Sequence, residues 1–221
     1  DIDWLRTIRA NLRHYQPEYQ SVVPETLIGY ARRRRQALQE VVLCVDQSGS
    51  MASSVVYASI FSAVLASLPS LATRLVVFDT AVVDLTELLD DPVEVLFATQ
   101  LGGGTDINRA VAYCQQGITR PESTTFVLIT DLCEGGNGRE LLKRAGSLLA
   151  SGVNLVTLLA LNDDGAAYYD QRMAARFAAL GSPTFACTPA QFPELMAAAL
   201  RREDLNQWAA AREIVTARAG E

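Results

Sequence analysis

Histidine and lysine are almost missing from this chain: His14 and Lys143 are single occurrences in 221 residues. That scarcity removes most general-base, Ser–His and Schiff-base chemistry before any motif is considered. The four cysteines, Cys44, Cys114, Cys133 and Cys187, never pair as C-x-x-C, and three of them lie in or beside apolar runs. They read as free thiols in a reducing, cytoplasmic setting, which argues against a disulfide framework or a zinc site. No apolar run approaches the roughly 20 residues that a membrane helix needs, and no secretory signal is visible. The chain starts at Asp1 without a methionine, as a fragment of a longer protein would. Basic residues are outnumbered, 19 against 25 acidic ones, for a net charge of −6. That balance speaks against a nucleic-acid or anionic-membrane surface. The only dense positive run is Arg32 to Arg35, and no aromatic residue is interleaved with it. It reads as a solvated face or an edge, with a docking patch for an acidic partner as the alternative.

What is present is a well-stocked core. Apolar residues make up 49% of the chain and charged ones 20%, so it folds, and its length suits one good-sized domain with an appendage. Trp4, Leu5, Ile8 and Leu12 recur at helical spacing and predict a short amphipathic helix up to about Tyr15. Pro17 and Pro24 interrupt the next stretch, and 26–30 reads equally as a strand or a helical turn. Val41 to Val45 is a continuous apolar run, the pattern of a strand buried on both faces. Ser54 to Leu68 predicts a helix, stopped by Pro69. Leu75 to Phe78 and Ala81 to Leu85, joined at Asp79-Thr80, predict an antiparallel edge hairpin. Pro92 to Ala98 predicts a short helix, and Ile107, Ala110, Val111 and Cys114 share the face of another. Thr124 to Ile129, Leu155 to Leu161 and Pro183 to Cys187 read as further strands. Arg139 to Ala150 (capped by Gly152), Tyr168 to Leu180 and Phe192 to Leu200 read as the helices between and after them. Strand and helix alternate, so the expected fold is α/β. Its centre is a doubly wound, Rossmann-like, mainly parallel sheet of six strands with one antiparallel edge strand and helices on both faces. The expected divisions are a flank with the Arg run over 1–39, the α/β domain over 40–200 and a polar helical tail over 201–221.

The first apolar strand stops at an acid and becomes Asp46-Gln47-Ser48-Gly49-Ser50. A carboxylate and two hydroxyls just past the carboxyl end of a strand sit where open α/β sheets bind ligands. Hard oxygens suit Mg²⁺, Ca²⁺ or Mn²⁺ and not zinc or copper. Taken alone, Ser48 or Ser50 is equally an N-cap for the following helix. A second loop, Gly102-Gly103-Gly104-Thr105-Asp106, lacks the Gly-Lys-Ser/Thr of a phosphate loop and the G-x-G-x-x-G of a dinucleotide site. Asp106 there reads as a helix N-cap, which leaves Thr105 free to point elsewhere. The strand Thr124 to Ile129 repeats the logic of the first by ending in Thr130-Asp131. In a doubly wound sheet these loops converge near the switch point. Asp46, Ser48, Ser50, Thr105 and Asp131 together would suit a six-coordinate hard cation.

These motifs, in this order, resemble the von Willebrand factor A family. Asp46-Gln47-Ser48-Gly49-Ser50 matches its D-x-S-x-S, Gly103-Gly104-Thr105-Asp106 its threonine loop and Thr130-Asp131 its third acidic loop, the three parts of the metal-ion-dependent adhesion site. The resemblance implies a divalent cation, Mg²⁺ first and Mn²⁺ or Ca²⁺ as substitutes. Ser48 and Ser50 would bind it through their hydroxyls, and Thr105, Asp46 and Asp131 would bind directly or through water. A partner protein would then offer an Asp or Glu to the cation, with Gln47, Asp106 and Glu134 on the rim of that surface. The sequences Asp-Gln-Ser-Gly-Ser-Met and Thr-Asp-Leu-Cys-Glu-Gly-Gly and the arginine-rich N-terminal flank are similar to bacterial CoxE-like proteins. Their kinship implies a cytoplasmic adaptor for a MoxR-type AAA+ ATPase in the assembly or remodelling of other proteins. The rival from another class is a metal-dependent hydrolase, with Asp106 or Glu134 as its base.

Overall fold

The structure, a computed structural model, describes residues 4–26, 39–48, 51, 62, 64–68, 70–89, 91, 94–95, 103–159, 169–186, 188, 190–212, 214 and 216–217. The chain forms two compact units, Asp1–Arg35 and Gln36–Glu221. Helix α1 (Trp4–Ala10) opens the smaller one, followed by a single 3₁₀ turn at Leu12–His14. Strands β1 (Tyr15–Gln16) and β2 (Ser21–Val22) then pair antiparallel. The helix ends earlier than its apolar spacing predicts, and Asn11 supplies the reason. Its carboxamide donates to the carbonyls of Thr7 at 2.7 Å and Thr26 at 2.8 Å. Its oxygen accepts from the main-chain N–H groups of Glu25 and Thr26. A side chain with that many backbone partners competes with the helical ladder. Thr7 and Asn11 are buried, whereas Trp4, Ile8 and Leu12 are exposed. This unit is therefore organised on a polar hub, with its apolar stripe outward. The strand-or-turn segment at 27–30 and the arginine run at 32–35 lie outside the described residues.

The larger unit is the expected α/β sheet. Strand β3 (Gln39–Asp46) is followed by β4 (Leu71–Phe78) and β5 (Val82–Asp84). Next come α2 (Ile107–Gln116), β6 (Thr124–Thr130), α3 (Gly138–Ala150) and β7 (Asn154–Leu159). Helix α4 (Gln171–Ala179), β8 (Thr184–Ala186), α5 (Phe192–Leu200) and α6 (Leu205–Ala210) complete it. Of the helix predicted between β3 and β4, Ser62 and residues 64–66 are described and are helical. Most of the short helix predicted over 92–98 lies outside the described residues. The six strands run in the order β5-β4-β3-β6-β7-β8. All pairs are parallel except the β4–β5 hairpin at the edge. The chain moves outward from β3 to β4 and β5, then returns to lay β6 on the other side of β3. The switch point therefore lies between β3 and β6.

Alternation along β3 fills two cores. Val41, Leu43 and Val45 face a layer containing Leu195, Met196 and Trp208. Val42 and Cys44 face Ile107, Leu141 and Phe177 on the other side. Each such buried aliphatic or aromatic side chain contributes roughly 1.5–3 kcal/mol, and from Glu40 onward every residue of β3 is buried. Helix starts follow the sequence signals. Asp106, Asn137 and Asp170 each accept the main-chain N–H three residues ahead, and Asp204 accepts those of Asn206 and Gln207. Gly152 closes α3 in the left-handed region at φ +94°, a conformation cheap only for glycine. The polar tail packs against the domain. Leu205, Trp208 and Ala209 enter the core, Arg212 lies 4.5 Å from the centre of the Trp208 ring, and Thr216 bridges to Phe185 on edge strand β8. Cys44 and Cys114 are buried free thiols and Cys133 is an exposed one; Cys187 lies outside the described residues. Among the described residues no helix is long and apolar enough to cross a membrane.

Candidate functional site

The site grows from the carboxyl end of β3. Asp46 is completely buried, directly opposite Phe78 of β4 and one step beyond the last β3–β6 pair, Val45 with Ile129. One carboxylate oxygen accepts the main-chain N–H of Ser48 at 2.8 Å, and the other accepts the Thr130 hydroxyl at 2.7 Å. The Ser48 hydroxyl also donates to this carboxylate. Burial holds the Asp46 pKa above the ordinary carboxylate range. The bonds from Ser48 and Thr130 oppose that rise, and the neighbouring Asp131 adds to it. Among the described residues no cation pairs with Asp46. The fold thus holds a carboxylate in a place that disfavours its charge, as perturbed functional groups are held.

Thr130 is the hinge between two loops. Its hydroxyl donates to Asp46 and accepts the N–H of Leu132 at 3.1 Å. Leu132 adopts φ +58° with its side chain fully buried. That backbone costs roughly 1–2 kcal/mol in a non-glycine residue, and the enclosed side chain holds it in place. The reversal sets Asp131, itself buried, so that its carboxylate accepts the N–H of Cys133 at 2.9 Å. The Asp131 carbonyl accepts the N–H of Asp170 from the start of α4, also at 2.9 Å.

The glycine-rich loop is fastened from both sides. The Thr105 carbonyl accepts the N–H of Gly135, and the Asp79 carbonyl accepts the N–H of Asp106, each at 2.9 Å. Loops from β3, β4 and β6 and the start of α2 thus meet at the switch point. Asp46, Ser48 and Asp131 lie buried there, and half-buried Thr105 is tied to the Asp131 loop. Ser50 lies outside the described residues. Asp106 and Glu134, expected on the rim, are engaged within the fold. Asp106 caps α2. Glu134 accepts the N–H groups of Asn108 at 3.1 Å and Gly136 at 2.8 Å, and burial, then nearby Asp106, raise its pKa. Both acids knit the loops together. Thr130, Asp79 and Asp170 are contributors that sequence reasoning did not single out. Thr130 was detectable as a polar residue ending an apolar strand, whereas Asp79 and Asp170 act through backbone groups and leave no side-chain signature.

Gln47 differs from its neighbours. Its N–H donates to the Phe78 carbonyl at 2.7 Å, and the residue is 5% exposed. Its side-chain nitrogen nevertheless has no hydrogen-bond partner among the described residues. An unpaired buried donor costs about 1–3 kcal/mol. The donor chemistry of the centre is otherwise uniform, with carboxylates and hydroxyls and no imidazole. Burial, followed by the Asp131 charge, pushes the Cys133 thiol up to about 11, so it stays protonated at neutral pH and is a poor soft ligand. Among the described residues no three His, Cys, Asp or Glu side chains come together as a metal-binding group. A centre with two carboxylates and the rest hydroxyls has no such triad to offer.

A mainly parallel six-stranded sheet with one antiparallel edge strand and loops meeting at this switch point is the architecture of a von Willebrand factor A domain. The von Willebrand factor type A structure from Catenulispora acidiphila superposes with a TM-score of 0.55 at 16% identity, covering 79% of this chain and 44% of that one. An aerotolerance-related membrane protein from Bacteroides fragilis gives the same TM-score and identity over 74% of this chain and 99% of its own. More specifically, the chain belongs to the family of VWA domain containing CoxE-like proteins, whose model matches residues 1–196. It is 38% identical over 198 residues to the protein YehP of Escherichia coli (strain K12). That match takes in 89% of this chain and 52% of YehP, so the chain spans about half the length of this relative.

Proposed function

We propose that this chain is a cation-dependent protein-interaction module. Asp46, Ser48, Ser50, Thr105 and Asp131 would hold one divalent ion, Mg²⁺ before Mn²⁺ or Ca²⁺. The observation that carries the reading is the network at the switch point: a buried Asp46 without a cationic partner among the described residues, joined through Thr130 to the loop of Asp131, which Gly135 ties to Thr105. Hard oxygen donors with few formal charges leave a bound Mg²⁺ short of negative charge, and Mg²⁺ exchanges a retained water for an oxygen ligand. The ion would supply one strong polar contact for an Asp or Glu of a partner protein, and the loops around it shape and specificity. Membership in the CoxE-like family supports a MoxR-type AAA+ ATPase as that partner, with an adaptor role in the assembly or remodelling of client proteins in the cytoplasm. Recognition is favoured over hydrolysis because Glu134 already accepts two main-chain N–H groups and Asp106 caps α2, so neither acid weighed as the base is free. The test is capture of a purified MoxR-type ATPase on immobilised protein in Mg²⁺ and in EDTA. We expect retention in Mg²⁺ only, and none by Asp131→Ala with an intact circular dichroism spectrum. Equal capture in both buffers, or by the variant, overturns the reading.

The same site predicts a pH dependence. The Asp46 pKa is higher in the metal-free fold than in the unfolded chain, so the folded state binds more protons between those two values. The sign is then fixed. Below the unfolded value both states are neutral and no penalty exists. As pH rises through the raised value the folded state bears a buried charge, and metal-free stability falls. A cation that needs the ionised carboxylate relieves this cost. Stabilisation by Mg²⁺ is therefore expected to grow with pH from the ordinary carboxylate range upward and to level off above the raised value. Melting curves with and without Mg²⁺ across that range check this. An increment independent of pH contradicts it.

A further inference from the structure

We infer that Arg109, Arg139 and Arg172 form a basic rim to this interaction surface, so that the partner it fits presents an acidic segment and not a lone carboxylate. The inference rests on the proposed cation site, which would take one carboxylate of that segment and leave its neighbours to the arginines. Three helix starts frame the site. The loop of Thr105 leads into α2, and its carbonyl is bonded to Gly135 in the loop that leads into α3. The start of α4 is joined through its N-cap, Asp170, whose N–H bonds to the Asp131 carbonyl. Each of these helices carries an arginine in its first turn: Arg109 in α2, Arg139 in α3 and Arg172 in α4.

Three observations separate these residues from ordinary surface arginines. First, they stand at the end of the helix where the backbone dipole disfavours a cation. Second, all three are exposed, and none forms an ion pair among the described residues. Arg109 is also anchored towards the ligand loop. Its Nη1 donates to the Thr80 carbonyl at 3.0 Å, and a Cβ on Gly104 would stand 3.6 Å from the Thr80 methyl group. That bond uses one of five guanidinium N–H donors. Third, the acids at this edge are already engaged. Asp106, Asp131, Glu134 and Asp170 accept main-chain N–H groups, and Glu140, beside Arg139, is held by Lys143 at 2.6 Å. Guanidinium groups kept without a carboxylate partner, in a chain of net charge −6, complement acidic side chains brought by another molecule.

The experiment measures, by fluorescence anisotropy in Mg²⁺ and in EDTA, the binding of two labelled hexapeptides, one all glutamate and one with a single glutamate among serines. In Mg²⁺ the wild type should bind hexaglutamate the more tightly, and added NaCl should shrink the difference. The triple variant Arg109→Gln, Arg139→Gln, Arg172→Gln should lose roughly 10-fold in hexaglutamate affinity and less than about twofold for the single-glutamate peptide. Arg201→Gln controls for net charge. Arg201 follows Leu200, whose carbonyl is bonded to Gln39 at the start of β3, the opposite edge of the sheet. Its hexaglutamate affinity should stay within about twofold of the wild type. Wild-type hexaglutamate affinity in the triple variant overturns the inference and leaves the cation site standing, as does equal affinity of the wild type for the two peptides. Hexaglutamate binding to the wild type that is the same in Mg²⁺ and in EDTA instead overturns the cation reading, and the inference falls with it.

Discussion

Asp46→Asn is expected to erase the Mg²⁺-induced rise in melting temperature while raising the melting temperature of the metal-free protein at neutral pH. The two effects have one cause. Asp46 is fully buried with no paired cation among the described residues, so ionising it costs the metal-free fold stability. Asparagine keeps the shape and removes that charge. Its amide oxygen can accept the Ser48 N–H in the place of the carboxylate oxygen. Its amide nitrogen can donate to Thr130, whose hydroxyl oxygen has a second lone pair beyond the one taken by Leu132. The cation meanwhile loses an anionic ligand at the centre of the network, and affinity should fall by more than the roughly 10–100-fold that outer-shell changes cost. Melting curves of wild type and variant in Mg²⁺ and in EDTA decide the matter. An Mg²⁺ increment retained by the variant would remove Asp46 from the centre. A lower metal-free melting temperature would mean that the lost hydrogen-bond strength outweighs the relieved charge.

The sheet was legible because β3, β6 and β7 are short apolar runs with turn signals on either side, and because Asp79-Thr80 leaves too few residues for a parallel crossover. Period and length sufficed there. In the first forty residues they did not. Trp4, Ile8 and Leu12 have helical spacing, but spacing cannot tell which side of a helix meets the protein. Asn11 decides that, by bonding to a segment fifteen residues away. The tail's packing was equally open. Arg201 to Glu221 is polar by composition, yet Leu205, Trp208 and Ala209 recur on one face and are buried. Arg212 lies over the Trp208 ring and bonds to Glu194 at 2.9 Å.

The candidate ligands were legible for a different reason. A strand buried on both faces has no packing use for a terminal carboxylate, so Asp46 and Asp131 announced themselves. Their supports were less visible. Thr130 joins the two acids, and its role depends on register, which residue identity alone does not reveal. Glu134 and Asp106 illustrate the converse case. Acidic loop residues beside a proposed cation site invite a role at its surface, but main-chain N–H groups at the start of α2 claim them first. Helix N-termini present unsatisfied donors wherever they occur, and a nearby carboxylate answers them.

Gly135→Ala is expected to weaken cation binding by roughly 10–100-fold, the range for outer-shell disruption, although Gly135 contributes no side chain to the centre. Its N–H donates to the Thr105 carbonyl at 2.9 Å, and a Cβ at this position would stand 2.6 Å from that same oxygen. The obstacle is backbone, and neither side yields easily. Thr105 is followed by Asp106, held by its bonds to Asp79 and Arg109 and by the buried start of α2. The opposing loop is held by Glu134, bonded to Asn108 and Gly136, and by the enclosed Leu132. The methyl group must therefore break the Gly135–Thr105 bond or turn the Thr105 peptide. Either outcome moves a proposed ligand away from Asp46 and Asp131. Gly104→Ala is the control, because a Cβ there would make only an ordinary 3.6 Å contact with the Thr80 methyl group. Calorimetric titration with Mg²⁺ should then give Gly104→Ala an affinity close to that of the wild type and Gly135→Ala a lower one. Wild-type affinity in Gly135→Ala would show that the position of Thr105 is immaterial to the ion and would confine the site to the β3 and β6 loops.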